Sequence, residues 1–309
     1  MTNQDNNHQL NHRIYHFEKI YKAIKHVIVF IFMIFIAIVA IAVIAMSLYF
    51  HHLTKTSDSL SDDALIKKVR QIPGDELLDH NNKNLLYEYN HSQNSLIIGP
   101  KTSSPNVIKA LTSSEDTLFY KHDGILPKAI LRAMIQDIFN TDQSSGGSTI
   151  TQQLVKNQVL TNEKTYSRKA NELRLAIRLE HLLSKDEIIY TYLNIVPFGR
   201  DYNGANISGI ASASYSLFGI PPKDLSIAQS AYLIGLLQSP YGYTPYEKDG
   251  TLKSDKDLKY SIQRQHYVLK RMLIEDQITE KEYNDALKYD IKSHLLNRKK
   301  ALIDAHFLK

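Results

Sequence analysis

The strongest pattern in the chain is an apolar run: from Val27 to Phe50 it reads VIVFIFMIFIAIVAIAVIAMSLYF, without a charged residue. A helix of that length crosses a hydrocarbon core about 30 Å thick and exceeds what one small soluble core usually hides. Arg13, Lys19, Lys22 and Lys25 precede it, and Asp58, Asp62 and Asp63 follow it after a lone Lys55. The positive-inside rule then puts the N-terminus in the cytoplasm and everything beyond about residue 51 outside. Ala45-Met46-Ser47 imitates a signal-peptide cleavage site, yet the apolar region is longer than a typical signal peptide's, which favours an uncleaved anchor.

Past the anchor the pattern changes twice. Residues 51–72 are polar and read as a linker running into a short helix. In ELLDHNNKNLLYEY (76–89) two apolar runs flank an Asn-Asn-Lys-Asn turn, which predicts a short β-hairpin. After Pro105 the periodicity is helical almost to the end. Ser184 with Glu187 forms a capping box ahead of Ile188, Tyr192 and Leu193, and Ser226 with Gln229 forms another ahead of Ala231, Leu233, Ile234 and Leu237. The second helix must stop before Pro240. Glycine-bearing turns at Gly146-Gly147, Gly199, Gly219 and Gly242 punctuate the pattern. The expected organisation is a tail over 1–26, an anchor over 27–50, a linker over 51–72, a mainly α domain over 73–290, and a C-terminal extension or start of a further domain over 291–309.

Composition narrows the chemistry. No cysteine is present, which removes disulfides, thiolate metal sites and cysteine nucleophiles. Lys and Arg total 37 against 32 Asp and Glu, a net charge of +5. That mild excess suits an anionic membrane surface or a phosphate-bearing ligand. It is too small and too spread out to argue for nucleic acid, and no nucleic-acid-binding motif accompanies it.

Three polar segments could carry a reaction. In SSEDTLFYKHDGI (113–125), Glu115 and Asp116 are paired ahead of Phe119, His122 and Gly124. A helix beginning here would place Glu115 near its N-terminus beside apolar neighbours, an environment that can suit a carboxylate to general-base work. In GGSTITQQLVKN (146–157), a glycine turn opens a helix whose free N–H groups, with Gln152, Gln153 and Lys156, could line a polar groove. In KTYSRKANELRLAIRLE (164–180), Lys164, Arg168 and Glu172 recur every fourth position and would share one helix face. Taken singly, each has a plainer explanation: acidic helix capping, a polar loop, a solvated salt-bridge face.

Taken together and in order, these segments closely resemble the motifs of the family 51 peptidoglycan glycosyltransferases, the polymerase modules of class A penicillin-binding proteins and of monofunctional transglycosylases. Glu115-Asp116, Phe119, His122 and Gly124 match ED-x-x-F-x-x-H-x-G; residues 146–157 match GGSTITQQ-x-x-KN; Arg168-Lys169 and Glu172 match RK-x-x-E. KDEIIYTYLNIVPFG (185–199) matches a fourth motif, and ANISGIASASYSLFG and AYLIGLLQSPYGYTPY resemble the segments after it. The resemblance spans roughly residues 70–290. Gln229 departs from the Glu common in the family, and its capping box makes that difference structural.

The resemblance implies a lysozyme-like, mainly helical fold with a small hydrophobic jaw on the membrane. ILPKAILRAMIQDIF (125–139) would belong to that jaw, with Ile130, Leu131, Met134, Ile135 and Ile138 as its apolar face and Lys128 and Arg132 toward headgroups, although packing against the core would use the same residues. It implies Glu115 as the base that deprotonates the acceptor sugar's 4-hydroxyl, and Glu172 as a second catalytic glutamate. Asp116, Phe119, His122, Gly147, Ser148, Thr149, Gln152, Gln153, Lys156, Asn157, Lys164, Arg168 and Asn194 become substrate-binding candidates. Lipid II and the growing glycan are the implied substrates, undecaprenyl pyrophosphate the leaving group, and other cell-wall synthesis proteins the implied partners. No cofactor is required, with Mg²⁺ or Mn²⁺ a helper at the pyrophosphate; the sequence shows no dedicated metal site. Neither Ser-x-x-Lys nor Lys-Thr-Gly occurs in these residues, so glycan polymerisation is expected without peptide cross-linking. A lytic transglycosylase or muramidase is the nearest rival, and a non-catalytic cell-wall scaffold the other.

Overall fold

In the computed structural model, residues 3–71, 98–99, 101–138, 147–161 and 163–296 are described, with side chains for all of these except 3–12, 134, 137 and 138. The hairpin expected over 76–89 lies outside them. The chain divides into two units, 1–55 and 56–309.

The first unit is essentially α1 (Asn3–Leu53). Helix therefore continues without a break from the basic segment through the apolar run, and its stretch Arg13–Leu53, which holds an 18-residue window of mean hydropathy 3.6, is long and apolar enough to cross a membrane. Its large apolar side chains, Phe30, Ile31 and Phe32 among them, are exposed within the unit, as a lipid-facing helix requires.

The second unit is mainly α. α2 (Lys55–Asp58) and α3 (Asp62–Val69) open it, followed by α4 (Pro105–Glu115), α5 (Pro127–Ile138), α6 (Ile150–Gln158), α7 (Tyr166–Leu182) and α8 (Lys185–Ile195). A two-stranded antiparallel ribbon of β1 (Pro197–Arg200) and β2 (Asn206–Ser208) comes next, with a bulge between Pro197 and Gly199. α9 (Ile210–Phe218), α10 (Ile227–Leu236), α11 (Pro240–Tyr243), α12 (Asp255–Ile274), α13 (Glu280–Leu287) and α14 (Ile291–His294) complete it. Both expected capping boxes form, at Ser184/Glu187 and Ser226/Gln229. The Gln229 carbonyl accepts from the Ser226 N–H at 3.1 Å, so glutamine does here what a cap requires.

α10 is the centre of the core. Its residues from Ala228 to Leu236 are all buried, the pattern of a helix surrounded on every side. α4 and α12 pack on it, and α6 packs on α7 and α8. The core joins Leu111, Phe119, Leu154, Leu175, Tyr192, Leu233 and Met272 in one cluster.

Two boundaries differ from expectation. The supposed linker belongs to the folded unit, because Leu65 and Val69, one helical turn apart, are fully buried. Arg174 and Arg178 pair with Asp58 and Asp62, and the Ser57 N–H donates to Asn171 Oδ1 at 2.8 Å, fixing the same segment from outside. At the other end Ile291, Leu295 and Leu296 are buried, and the Leu296 N–H donates to Leu217 O at 2.8 Å, so the domain runs past 290. Apolar contact across long sequence separations draws in both segments, and their local polarity conceals it.

Candidate active site

The helix carrying Glu115 runs the opposite way from the sequence expectation. α4 starts at Pro105, capped by Ser104, and ends at Glu115, so the carboxylate stands at its C-terminal end and not in its first turn. Pro at the first helical position with Ser before it is the start signal, and it outweighs the acidic pair that suggested a start at 115. Asp116 leaves the helix, with φ −156°.

Glu115 is held on both oxygens. Gln153 Nε2 donates to Oε2 at 3.1 Å, and Arg264 Nη2 meets Oε1 at 3.3 Å. The Tyr192 hydroxyl donates to Gln153 Oε1 at 2.8 Å. Burial, and after it the Glu115 charge, push the Tyr192 phenol well above its ordinary range, so it stays a neutral donor.

Glu115 opens onto a cleft of about 690 Å³ whose wall also includes Asp116, Gly147, Ser148, Lys128, Arg132, Tyr267 and Arg271. Gly147 and Ser148 bring the second polar segment to the cleft wall, and α6 begins just after them. Adjacent glutamines on that helix point about 100° apart, and each serves a different glutamate: Gln153 holds Glu115, while Gln152 Nε2 donates to Glu172 Oε1 at 3.2 Å. Glu172 is buried, with Arg168 Nη1 on Oε2 at 2.7 Å and Lys169 Nζ on Oε1. Lys169 Nζ also reaches Ser148 Oγ at 3.3 Å, which ties this charged cluster to the cleft wall.

The remaining expected residues divide by place. Asp116, Gly147 and Ser148 line the cleft. Asp116 is nonetheless turned inward: its Oδ2 accepts from the Ile150 N–H at 3.0 Å and faces His122 Nε2 at 2.9 Å. The Gly124 N–H donates to His122 Nδ1 at 3.0 Å, so that nitrogen is unprotonated and the ring proton sits on Nε2, aimed at Asp116. Phe119 is fully buried under Lys185, whose Nζ lies 4.6 Å from the ring centre. Thr149 caps α6. Of the N–H groups at this helix start, that of Thr149 is taken by Gln152 Oε1 and that of Ile150 by Asp116 Oδ2. Asn194 is buried with both ends of its amide on the Ile98 backbone, at 2.9 and 3.0 Å. Asn157 lines a separate hollow of about 310 Å³ with Gln158 and Pro197. Lys156 and Lys164 are exposed. Lys164 precedes the Thr165 cap of α7, so it does not share a helical face with Arg168 and Glu172.

Arg264 escaped the sequence reading. The signal was present: α12 buries Leu258, Ser261, Gln265, Val268, Leu269 and Met272, and position 264 falls on the flank of that stripe. A charge there calls for a partner. Among the described residues no group of three or more His, Cys, Asp or Glu is placed to hold a metal ion. Glu115 and Glu172 instead face cations and amide donors, a set that does not fit a protein-held divalent ion.

Comparison with known proteins agrees with the motifs. The model of the transglycosylase family matches residues 82–273. The chain belongs to the transglycosylase family. Among relatives of this transglycosylase, penicillin-binding protein 1A of Clostridium botulinum is 33% identical over 237 residues, covering 73% of this chain and 28% of that protein. Penicillin-binding protein 1A of Haemophilus influenzae is 39% identical over 186 residues, covering 60% and 20%. The Escherichia coli penicillin-binding protein 1A is 37% identical over 181 residues, covering 58% and 20%. The chain thus spans between a fifth and three tenths of the length of these relatives. The crystal structure of the Haemophilus influenzae protein aligns with a TM-score of 0.29 at 26% identity, over 41% of this chain and 17% of that one.

Proposed function

We propose that this transglycosylase polymerises lipid II into β-1,4 glycan strands, with Glu115 as the general base. The observation that carries the reading is the Glu115 carboxylate on the wall of a large cleft, held by one donor per oxygen, with Lys128, Arg132 and Arg271 on the same wall. A carboxylate held in this way keeps lone pairs for a substrate hydroxyl.

The acceptor's 4-hydroxyl gives its proton to Glu115 while its oxygen attacks the anomeric carbon of the growing chain. The bond to undecaprenyl pyrophosphate breaks as the new one forms, converting an α-linked donor into a β-linked product. The leaving diphosphate gathers negative charge, which Arg168 and Lys169 would offset. Glu172 holds those two cations in place from below, and Ser148 carries Lys169 to the cleft wall. Mg²⁺ or Mn²⁺ would enter with the diphosphate oxygens. Leu131 and Ile135 are exposed on α5 beside Lys128 and Arg132, the composition of a surface that meets lipid and headgroups. The proposed placement is a single-pass membrane protein with the N-terminus cytoplasmic and the cleft outside, working with the growing glycan and other cell-wall synthesis proteins.

A muramidase would hold two carboxylates across the scissile bond. Here Glu115 and Asp116 are the carboxylates on the cleft wall, and Asp116 is committed to His122 and the start of α6. The deciding experiment incubates the purified chain with labelled lipid II, comparing wild type with Glu115→Gln. Polymer from the wild type and none from the variant is expected. Equal polymer from both removes Glu115 from the role, and none from either supports the scaffold.

A further inference from the structure

Arg264 sits where a core-facing helix has no intrinsic use for a charge. It projects from the flank of the buried stripe of α12, and its stem crosses α10 at Gly235. A Cβ at Gly235 would lie 3.3 Å from Arg264 Cγ and 3.4 Å from the α12 backbone, so the absence of a side chain there lets the arginine pass. The guanidinium lies over the Tyr267 ring at 4.3 Å, and Nη2 reaches Gln238 Oε1 and Glu115 Oε1, each at 3.3 Å. Its Nε is shielded from solvent and has no hydrogen-bond partner among the described residues. Packing alone would not favour leaving that N–H unmatched; the group is oriented for its outer nitrogen.

We infer that Arg264 is a positioning residue for Glu115, fixing the carboxylate from the side opposite Gln153. This rests on the reading of Glu115 as the base. The two holders come from different parts of the chain, Gln153 from α6 and Arg264 from α12, and each takes one oxygen. With both in place the carboxylate plane cannot rotate freely. The contact from Arg264 uses a single nitrogen, so lone pairs remain for the acceptor's proton. Tyr267 lines the cleft and backs the guanidinium, so the arginine acts on substrate only through Glu115.

The test measures kcat, KM and melting temperature for the full chain on labelled lipid II, in wild type, Glu115→Gln, Arg264→Met and Arg264→Lys. Methionine keeps the stem's bulk and removes the charge. Loss of positioning lowers kcat about 100-fold with KM and melting temperature near wild type, and Arg264→Lys, which keeps the charge, recovers part of kcat. An inactive Glu115→Gln beside an Arg264→Met variant with wild-type kcat overturns this inference alone. So does an Arg264→Met variant whose activity falls only in step with melting temperature, with no recovery in Arg264→Lys. Polymer from Glu115→Gln, or none from the wild type, removes the reading of Glu115 and this inference with it.

Discussion

The Tyr192 hydroxyl donates to the Gln153 side-chain carbonyl at 2.8 Å, and this bond decides which end of the amide faces Glu115. With its oxygen engaged by the phenol, Gln153 presents nitrogen to the carboxylate. A residue of the core thus sets the chemistry offered at the cleft, two side chains away.

Tyr192→Phe removes that constraint. The amide can then turn its oxygen toward Glu115, where two acceptors repel. Turnover of lipid II should fall about tenfold, with a stability loss of about 1 kcal/mol for the missing buried hydrogen bond. Polymerisation assays and urea denaturation measure the two effects. Unchanged kcat would show that the orientation of Gln153 does not matter.

Alkaline pH should unfold the protein through its buried phenols. Burial raises Tyr192, Tyr232 and Tyr246 above the ordinary value of 10.0; Glu115 adds to the rise at Tyr192, and the side-chain hydrogen bond between Tyr232 and Ser261 partly opposes it at Tyr232. Below pH 10 these phenols are protonated in both states and stability is complete. Above it the unfolded chain releases their protons first, so stability falls by about 1.4 kcal/mol per pH unit for each phenol. Tyrosinate absorbance should lag behind free tyrosine and then rise with the loss of helix by circular dichroism.

Glu172→Gln leaves the half-buried Arg168 and Lys169 sharing a neutral amide. Losing the charge-assisted hydrogen bonds to the buried carboxylate costs about 2 kcal/mol, moderated because both cations keep access to solvent. Chemical denaturation should report that loss, and polymer formation should fall beyond the fraction unfolded, since the cations lose their anchor. A variant as stable as the wild type would mean that the cluster is solvated in solution.

Gly124→Ala tests the turn behind the first motif. Gly124 has φ +89°, and a Cβ there would lie 2.6 Å from Ala176 O on α7. The expected loss is more than about 2 kcal/mol, from backbone strain together with a clash against rigid helix. Asp116→Asn should also destabilise, by about 2 kcal/mol, because the α6 N-terminus and His122 lose a charged acceptor. For Asp116→Asn the activity per folded molecule discriminates: a value near wild type marks a structural role, and a large drop marks direct substrate contact.

Much of the architecture was legible because it rests on local rules. An uncharged run long enough for a bilayer, Ser184 with Glu187, Ser226 with Gln229, and the stop at Pro240 all act within a few residues, and each appears where the pattern puts it. The short β1–β2 ribbon was not anticipated; its strands span only a few residues, too few for alternation to show. The direction of the Glu115 helix was misread because an acidic pair suggests a helix start as readily as it follows a helix end.

Sequence alone determined the family and its candidate residues: the ordered motifs around Glu115, Gln153, Arg168 and Glu172 name a glycosyltransferase family, and the apolar run names a helix able to span a membrane. Only the tertiary structure decided what each does. It turned Asp116, His122 and Asn194 inward to hold backbone, gave each glutamine of the pair its own glutamate, and brought Arg264 to the candidate base from 149 residues away. The physical reason is that a side chain's role depends on the partner it meets. Partners so distant in sequence are chosen by how helices such as α4, α6 and α12 pack, which no local pattern records.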